Sequence, residues 1–220
     1  MKYRFVLPIT GLFVATLLIS NTLDTKIFVF LGLALPAGII LFPLAYLFAD
    51  VLTEIYGYAM SRRVIWTGFA GLVLMVAFYE LAQLLPPASF WENQKSFEAT
   101  LSQLPRIVLA SMIAYLCGEF ANSFTLAKLK VMTEGRRMSL RFVASTLVGQ
   151  AIDTTVFVLI AFTGQFAPAA LIQIIVSAWA VKVAWEIIAL PVTLPIVRWL
   201  KRVEDEDFFD RNTNFSPFHV

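Results

Sequence analysis

Cysteine and histidine are nearly missing from these 220 residues. A single cysteine, Cys117, excludes an intramolecular disulfide framework and any multi-cysteine metal site. A single histidine, His219, lies next to the C-terminus, which removes His-rich metal chemistry and a Ser–His mechanism from the rest of the chain. Charge is scarce as well, at 15% of residues against about 25% in soluble globular chains. The 17 bases and 15 acids leave a net charge of +2, too balanced for a general nucleic-acid binder, and no nucleic-acid partner is expected. There is no Gly-x-x-x-x-Gly-Lys-Ser/Thr loop, so nucleotide hydrolysis by that route is absent, and no Gly-x-Gly-Asp stretch to suggest an intramembrane aspartyl protease. Neither an enzyme nor a cofactor is indicated. What the chain does have is apolar surface, 59% of its residues, which makes a lipid bilayer its natural solvent.

A helix crossing a hydrocarbon layer of about 30 Å needs about 20 mostly apolar residues. Six segments supply them: from Phe5 to Leu23, from Ile27 or Pro36 to Tyr56, from Val64 to Leu85, from Ile107 to Ala127, from Phe142 to Phe162 and from Ala169 to Val197. The first is expected to be a span rather than a cleavable leader, since Ser20, Asn21 and Thr22 make no small-x-small site and five more spans follow. The expectation is an all-α integral membrane protein with a six-helix domain over residues 1–202 and an acidic tail over 203–220. The run Glu204-Asp205-Glu206-Asp207 marks that tail as a solvated extension.

Basic residues beside spans are retained in the cytoplasm. Both termini and the even-numbered links carry Lys2, Arg4, Arg62, Arg63, Lys128, Lys130, Arg136, Arg137, Arg141, Arg198, Lys201, Arg202 and Arg211, whereas the other side has only Lys26, Lys95 and Arg106. Both termini are therefore expected in the cytoplasm. Two stretches interrupt the pattern. Phe90, Phe97, Leu101 and Leu104, with Glu92, Gln94, Lys95 and Glu98 between them, predict a short amphipathic helix on the outer surface, a lid or an interfacial anchor. The second apolar segment exceeds thirty residues and contains Pro36 and Pro43, so it is either broken or re-entrant before Pro36, or tilted and kinked.

Function is sought in the ionisable residues inside the spans: Asp50, Glu54, Glu80, Glu119, Asp153, Lys182 and Glu186. At the bilayer centre each would cost about 2.5–3.5 kcal/mol or more if it faced lipid. Helical spacing gathers them into stripes: Asp50 with Glu54; Glu119 with Asn122 and Ser123; Thr146 with Gln150, Asp153 and Thr154; Lys182 with Glu186. Four helices with one polar stripe each predict a polar cavity near mid-membrane, where transporters place their solute. Trp179 and Trp185 flank Lys182, and Tyr46 and Tyr115 lie one turn from Asp50 and Glu119, so flat side chains are available to stack on a flat ligand. Plainer roles stand beside these. Lys182 and Glu186 form a self-satisfied pair or support the site; Asp50 and Glu54 line the cavity or end a helix at the interface; Glu80 lies near the outer surface. Cys117 is expected to pack, and Pro191 and Pro195 to kink or hinge the last helix.

Three stretches resemble a known family: Phe48-Ala49-Asp50-Val51-Leu52-Thr53-Glu54-Ile55-Tyr56-Gly57; Gly118-Glu119-Phe120-Ala121-Asn122-Ser123 with Lys128-Leu129-Lys130; and Arg141-Phe142-Val143-Ala144-Ser145-Thr146 leading to Gly149-Gln150-Ala151-Ile152-Asp153-Thr154. They are similar to the queuosine precursor transporter family, also called the vitamin uptake transporter family, and Thr213-Asn214-Phe215-Ser216-Pro217-Phe218 is similar to the tail of its proteobacterial members. The resemblance implies a bacterial inner-membrane importer of 7-cyano-7-deazaguanine or 7-aminomethyl-7-deazaguanine, salvaged for queuosine in transfer RNA. It also implies a six-helix fold related to the substrate-binding subunits of energy-coupling-factor transporters. The small-molecule partner is then a modified nucleobase. Substrate-binding candidates are Asp50, Glu54, Glu119, Asn122, Gln150, Asp153, Trp179, Lys182 and Glu186, with Glu119 or Asp153 on the base's donor edge, Asn122 and Gln150 on its carbonyl and ring nitrogens, and Lys182 paired with Glu186 in support. No metal ligand is expected. Glu119 and Asp153 could equally carry coupling protons, and a subunit serving another vitamin-like heterocycle through a separate ATPase module is the alternative. Six helices are few for a complete alternating-access machine, so a homodimer is the expected assembly.

Overall fold

The long apolar runs become helices, because a helix satisfies its own backbone hydrogen bonds where lipid offers none. The structure is a computed structural model and describes residues 3–23, 26–30, 33–101, 105–164 and 166–219. Helix α1 (Val6–Leu23) is followed by an antiparallel hairpin of β1 (Ile27–Phe30) and β2 (Leu33–Pro36), a tight helical turn (Ala37–Leu41), and helices α2 (Phe42–Tyr56), α3 (Tyr58–Leu84), α4 (Gln94–Leu101), α5 (Pro105–Met132), α6 (Met138–Phe162) and α7 (Pro168–Glu204). Helices α1, α3, α6 and α7 are each long and apolar enough to cross a bilayer. The sequence-predicted residues Lys2 and Leu104 lie outside the described residues, as does the side chain of Tyr46.

The second apolar segment is broken rather than kinked. Pro36 ends β2, and Pro43 sits in the first turn of α2, where its missing N–H costs nothing. With 15 residues α2 rises only about 22 Å, too short for a straight crossing. It runs beside α1, and the Ser20 hydroxyl of α1 donates to the Gly38 carbonyl of the preceding turn at 3.2 Å. Gly57 alone separates α2 from α3, at φ 82° and ψ 171°, a conformation that favours glycine. Between α3 and α5, part of the predicted amphipathic helix forms as α4, which begins only at Gln94 and leaves Phe90 and Glu92 before it; it has no buried residue, and Trp91 and Phe97 make an edge-to-face ring contact.

Helices α5 and α6 make the most extensive contact of the bundle. A Cβ on Gly118 would stand 2.6 Å from Asp153 Cβ, and one on Gly149 would stand 2.7 Å from Asn122 Cβ. The crossing is reciprocal: each helix offers a glycine to the residue four positions past the other's glycine, so the backbones meet closely. Both ends of the described chain lie at one end of the bundle, where Glu204, closing α7, accepts hydrogen bonds from the backbone N–H groups of Arg4 and Phe5, just before α1.

The tail is not the solvated extension its acidic run suggests. Phe208 N–H donates to the Ile55 carbonyl (3.1 Å), Asp210 accepts from the Tyr58 N–H that opens α3, Arg62 Nη1 donates to the carbonyls of Asn214 and Ser216 (2.7 and 2.9 Å), and Trp66 Nε1 donates to that of Pro217 (2.9 Å). Three phenylalanines accompany the docking: Phe208 lies against Gly57, Phe209 against Gly135, and Phe215 against the rings of Tyr58 and Phe124, whereas Phe218 stays 79% exposed. The tail closes over Gly57 and the neighbouring ends of α2, α3 and α5.

Candidate functional site

The glycine crossing fixes the site. Because Gly118 and Gly149 bring α5 and α6 together, the adjoining Glu119, Asn122, Gln150 and Asp153 are held at one level of the bundle. Helix α2 adds Asp50, 1% exposed, whose Oδ1 accepts from Asn122 Nδ2 at 3.3 Å. Helix α7 adds Glu186, 2% exposed.

These side chains share one unusual property. Seven buried side-chain polar atoms have no hydrogen-bond partner among the described residues, and six of them belong here: Asp50 Oδ2, Glu119 Oε2, Asn122 Oδ1, Gln150 Oε1, Thr154 Oγ1 and Glu186 Oε1. The seventh is Arg62 Nε, beneath the tail. Leaving a buried polar group unsatisfied costs about 1–3 kcal/mol, so six together cost about as much as a domain's net stability. All six can accept a hydrogen bond, and all but the Thr154 hydroxyl can only accept. The cluster is built to receive donors.

Lysine 182 is placed differently from the sequence expectation. Its Nζ donates to Asp153 Oδ2 across the α6–α7 boundary at 2.6 Å, instead of pairing with Glu186 one turn along its own helix. A Lys placed before Glu at this spacing is the weaker helical order, and the close α6–α7 packing offers a better acceptor. Glu186 is thereby left buried with its Oε1 without a partner among the described residues. The aromatic candidates are committed elsewhere: Trp179 Nε1 donates to the Leu147 carbonyl (3.0 Å), tying α7 to α6; Tyr115 donates to the Ile65 carbonyl (3.1 Å); and Trp185 is exposed. Cys117, expected to pack, points outward from α5, and Glu80 is exposed beside a groove lined by Asn21, Met75, Tyr79 and Met112.

Glutamate 54 stands apart from the cluster despite being one turn from Asp50. It is fully buried and its carboxylate is fully used: Arg141 grips both oxygens (2.7 and 2.9 Å), and Lys201 Nζ donates to Oε1 at 2.6 Å. Lys130 joins from α5 at 3.9 Å, donates to the Phe208 carbonyl and pairs with Asp207, which also meets Lys201 at 2.8 Å. This network links α2, α5, α6, α7 and the tail, and the sequence reading did not find it. One available signal was Arg141, a base opening α6 inside a family-like motif. Also unforeseen is a hydroxyl chain in which Thr53 bonds Ser61 (2.8 Å) and Ser123 (3.1 Å), joining α2, α3 and α5.

Known proteins resemble much of this chain in sequence. Residues 36–196 match the family model described as "Putative vitamin uptake transporter", a stretch that contains every residue of the cluster. Over 161 residues the chain is 29% identical to a Bacillus subtilis protein named "Probable queuosine precursor transporter", covering 73% of this chain and 70% of that one. Over 132 residues it is 30% identical to the Escherichia coli "Queuosine precursor transporter", covering 60% of this chain and 57% of that one. No solved structure matches. A multi-pass bundle of apolar helices, an acceptor cluster at its centre and a family model spanning most of its length together make the conclusion plain: this chain belongs to the vitamin uptake transporter family.

Proposed function

We propose that the chain is a bacterial inner-membrane importer of queuosine precursors, 7-cyano-7-deazaguanine or 7-aminomethyl-7-deazaguanine, and that the central cluster holds the base. The observation that carries this is the set of buried oxygens on α2, α5, α6 and α7 without donors among the described residues. A deazaguanine presents two adjacent N–H donors on its pairing edge, which one carboxylate accepts together, each bond to a charged group contributing about 1.5–3 kcal/mol. Glu119 is the carboxylate proposed for that edge, since Asp153 already holds Lys182. Gln150 and Asn122 serve the remaining polar atoms of the ring. An aminomethyl arm, cationic at neutral pH, gains more from this acid-rich surround than a cyano group does.

Six passes belong to this proposal, with the second assembled from the hairpin, the turn and α2. An even number is supported by the proximity of the two chain ends, bridged by Glu204. Cytoplasmic termini, a homodimer and kinship with energy-coupling-factor binding subunits are proposed with it. Equilibrium binding to detergent-purified protein tests the ligand class: both deazaguanines are expected to bind saturably and guanine more weakly, and an absence of binding by either deazaguanine overturns the reading. Uptake into liposomes without any ATPase then separates a self-sufficient carrier from a subunit needing a module.

A further inference from the structure

Helices α2 and α3 are joined by one residue, Gly57, and the tail is fastened to both sides of that joint. Across it, the hydroxyls of Thr53 on α2 and Ser61 on α3 share a hydrogen bond of 2.8 Å. Gly57 sits at φ 82°, and a Cβ there would stand 2.3 Å from the Phe208 ring, so the tail lies directly against the joint. On the α2 side, Phe208 N–H donates to the Ile55 carbonyl (3.1 Å); on the α3 side, the Asp210 carboxylate accepts from Tyr58 N–H (3.1 Å). Lys130 of α5 completes the fastening, since its Nζ donates to the carbonyls of both Glu54 and Phe208. A few residues between two rigid elements are where a chain absorbs a change of angle. Here that place is strapped down by the tail.

The fastening can also come off without stranding a charge. Asp207 shares Lys130 and Lys201 with Glu54, so both lysines keep an acidic partner when Asp207 leaves, and Asp207 is already 47% exposed. Asp210 holds one of the first N–H groups of α3, which water can take over. Arg62 grips neutral carbonyls and, while it does so, its buried Nε has no acceptor among the described residues, a deficit that hydration relieves. The pair of Glu54 with Arg141, beneath, has no such freedom, because both side chains are buried to 1% or less. We propose that the tail is a releasable strap over the Gly57 hinge. Fastened, it fixes α2 against α3 and closes its own end of the bundle; released, it lets that end open so that the base can leave. Because α2 also carries Asp50, a change in its angle reaches the acceptor cluster. What passes through the opening rests on the transport reading above; the movement itself does not.

Two measurements test it. The first reads the hinge with no base present, in the Cys117→Ser background, which removes the native thiol. Position 61 is 2% exposed, so the thiol of Ser61→Cys is expected to react slowly with N-ethylmaleimide in detergent-purified protein. Adding Asp210→Ala is expected to speed the reaction at least tenfold. Trp66→Phe, which removes only the hydrogen bond to the Pro217 carbonyl, is expected to speed it by a smaller factor and serves if Asp210→Ala fails to fold. Equal rates with and without the tail contacts overturn the strap. The second measurement locks it. Lys128 Nζ stands 4.1 Å from the centre of the Phe215 ring, so Lys128→Cys with Phe215→Cys, again in Cys117→Ser, can be joined by a short thiol-cleavable cross-linker. Cross-linked protein is expected to bind 7-cyano-7-deazaguanine as before, to lose at least tenfold in its uptake into proteoliposomes, and to recover when reductant cleaves the link. Undiminished uptake with the link in place overturns the gating role. Failure of wild type to bind or move the base would instead sink the transport reading, leaving the alkylation rates to judge the strap.

Discussion

Asp50 and Glu54 are one helical turn apart on α2, equally buried, and treated in opposite ways. Around Glu54 every acceptor is used: Arg141 and Lys201 bond its carboxylate, and Lys130 ties the neighbourhood to Asp207 and the tail. Around Asp50 acceptors outnumber donors, and six oxygens are left over among the described residues. The first arrangement closes one end of the bundle; the second leaves an unmet demand for hydrogen-bond donors at its middle. Within one helix, therefore, charge alone does not mark function. The balance of donors and acceptors does.

The sharpest way to break the contrast is to unbalance the closed end. Glu54→Ala strands Arg141 without its buried partner, and removing one member of a buried pair costs about 3–5 kcal/mol. Thermal unfolding in detergent is expected to show a large loss, and an unchanged midpoint would mean that the network is dispensable. A smaller loss is expected from Gly118→Ala, whose new Cβ would press on Asp153; overpacking of this kind costs about 1–3 kcal/mol. Because it displaces the cluster, it is also expected to reduce uptake, and normal stability with normal uptake would contradict the close crossing. Asp153→Asn weakens the hold on Lys182 and is expected to lower uptake of labelled deazaguanine at least tenfold, about 1.4 kcal/mol, measured in whole cells with expression normalised.

The smallest effect is one of pH. Burial pushes the Asp207 carboxyl up, but hydrogen bonds from Lys130 and Lys201 outweigh it and hold it below the ordinary carboxylate value. A group depressed in the folded state contributes stability that is present above its unfolded value, about 3.9, and lost as pH falls through the folded one. Protease sensitivity of the tail is therefore expected to stay flat from about pH 7 to about pH 5 and to rise only below about pH 4. A rise near neutral pH would show that Asp207 does not hold the tail.

The contrast itself is not legible in the sequence, where Asp50 and Glu54 fall in one stripe, but parts of its frame are. The stripes on α5 and α6 follow from spacing alone, because a helix shows i and i+4 on one face whatever packs against it. Pro36 and Pro43 signal an interruption before α2 without choosing between a break and a kink, and the spacing of Phe97 and Leu101 marks the link helix, although Phe90 falls before it. Partner choice is a different matter. Lys182 has Glu186 one turn away in sequence, yet takes Asp153, 29 positions distant, because the α6–α7 contact sets the geometry. Glu54 finds Arg141 across 87 positions for the same reason. The tail misleads because its acidic run is conspicuous while its docking contacts are not: Phe208 against Gly57, Phe209 against Gly135, Asp207 with Lys130 and Lys201, and Asp210 on the Tyr58 N–H.

The central claim is that the acceptor-rich middle, and not the closed end, holds the base. Equilibrium binding of labelled 7-aminomethyl-7-deazaguanine to purified wild type and to Glu119→Gln tests it most directly. Saturable wild-type binding that weakens at least tenfold in the variant, with thermal stability retained, is the expected result. Equal affinity in both proteins would contradict the account, because the base would then be resting somewhere other than on Glu119.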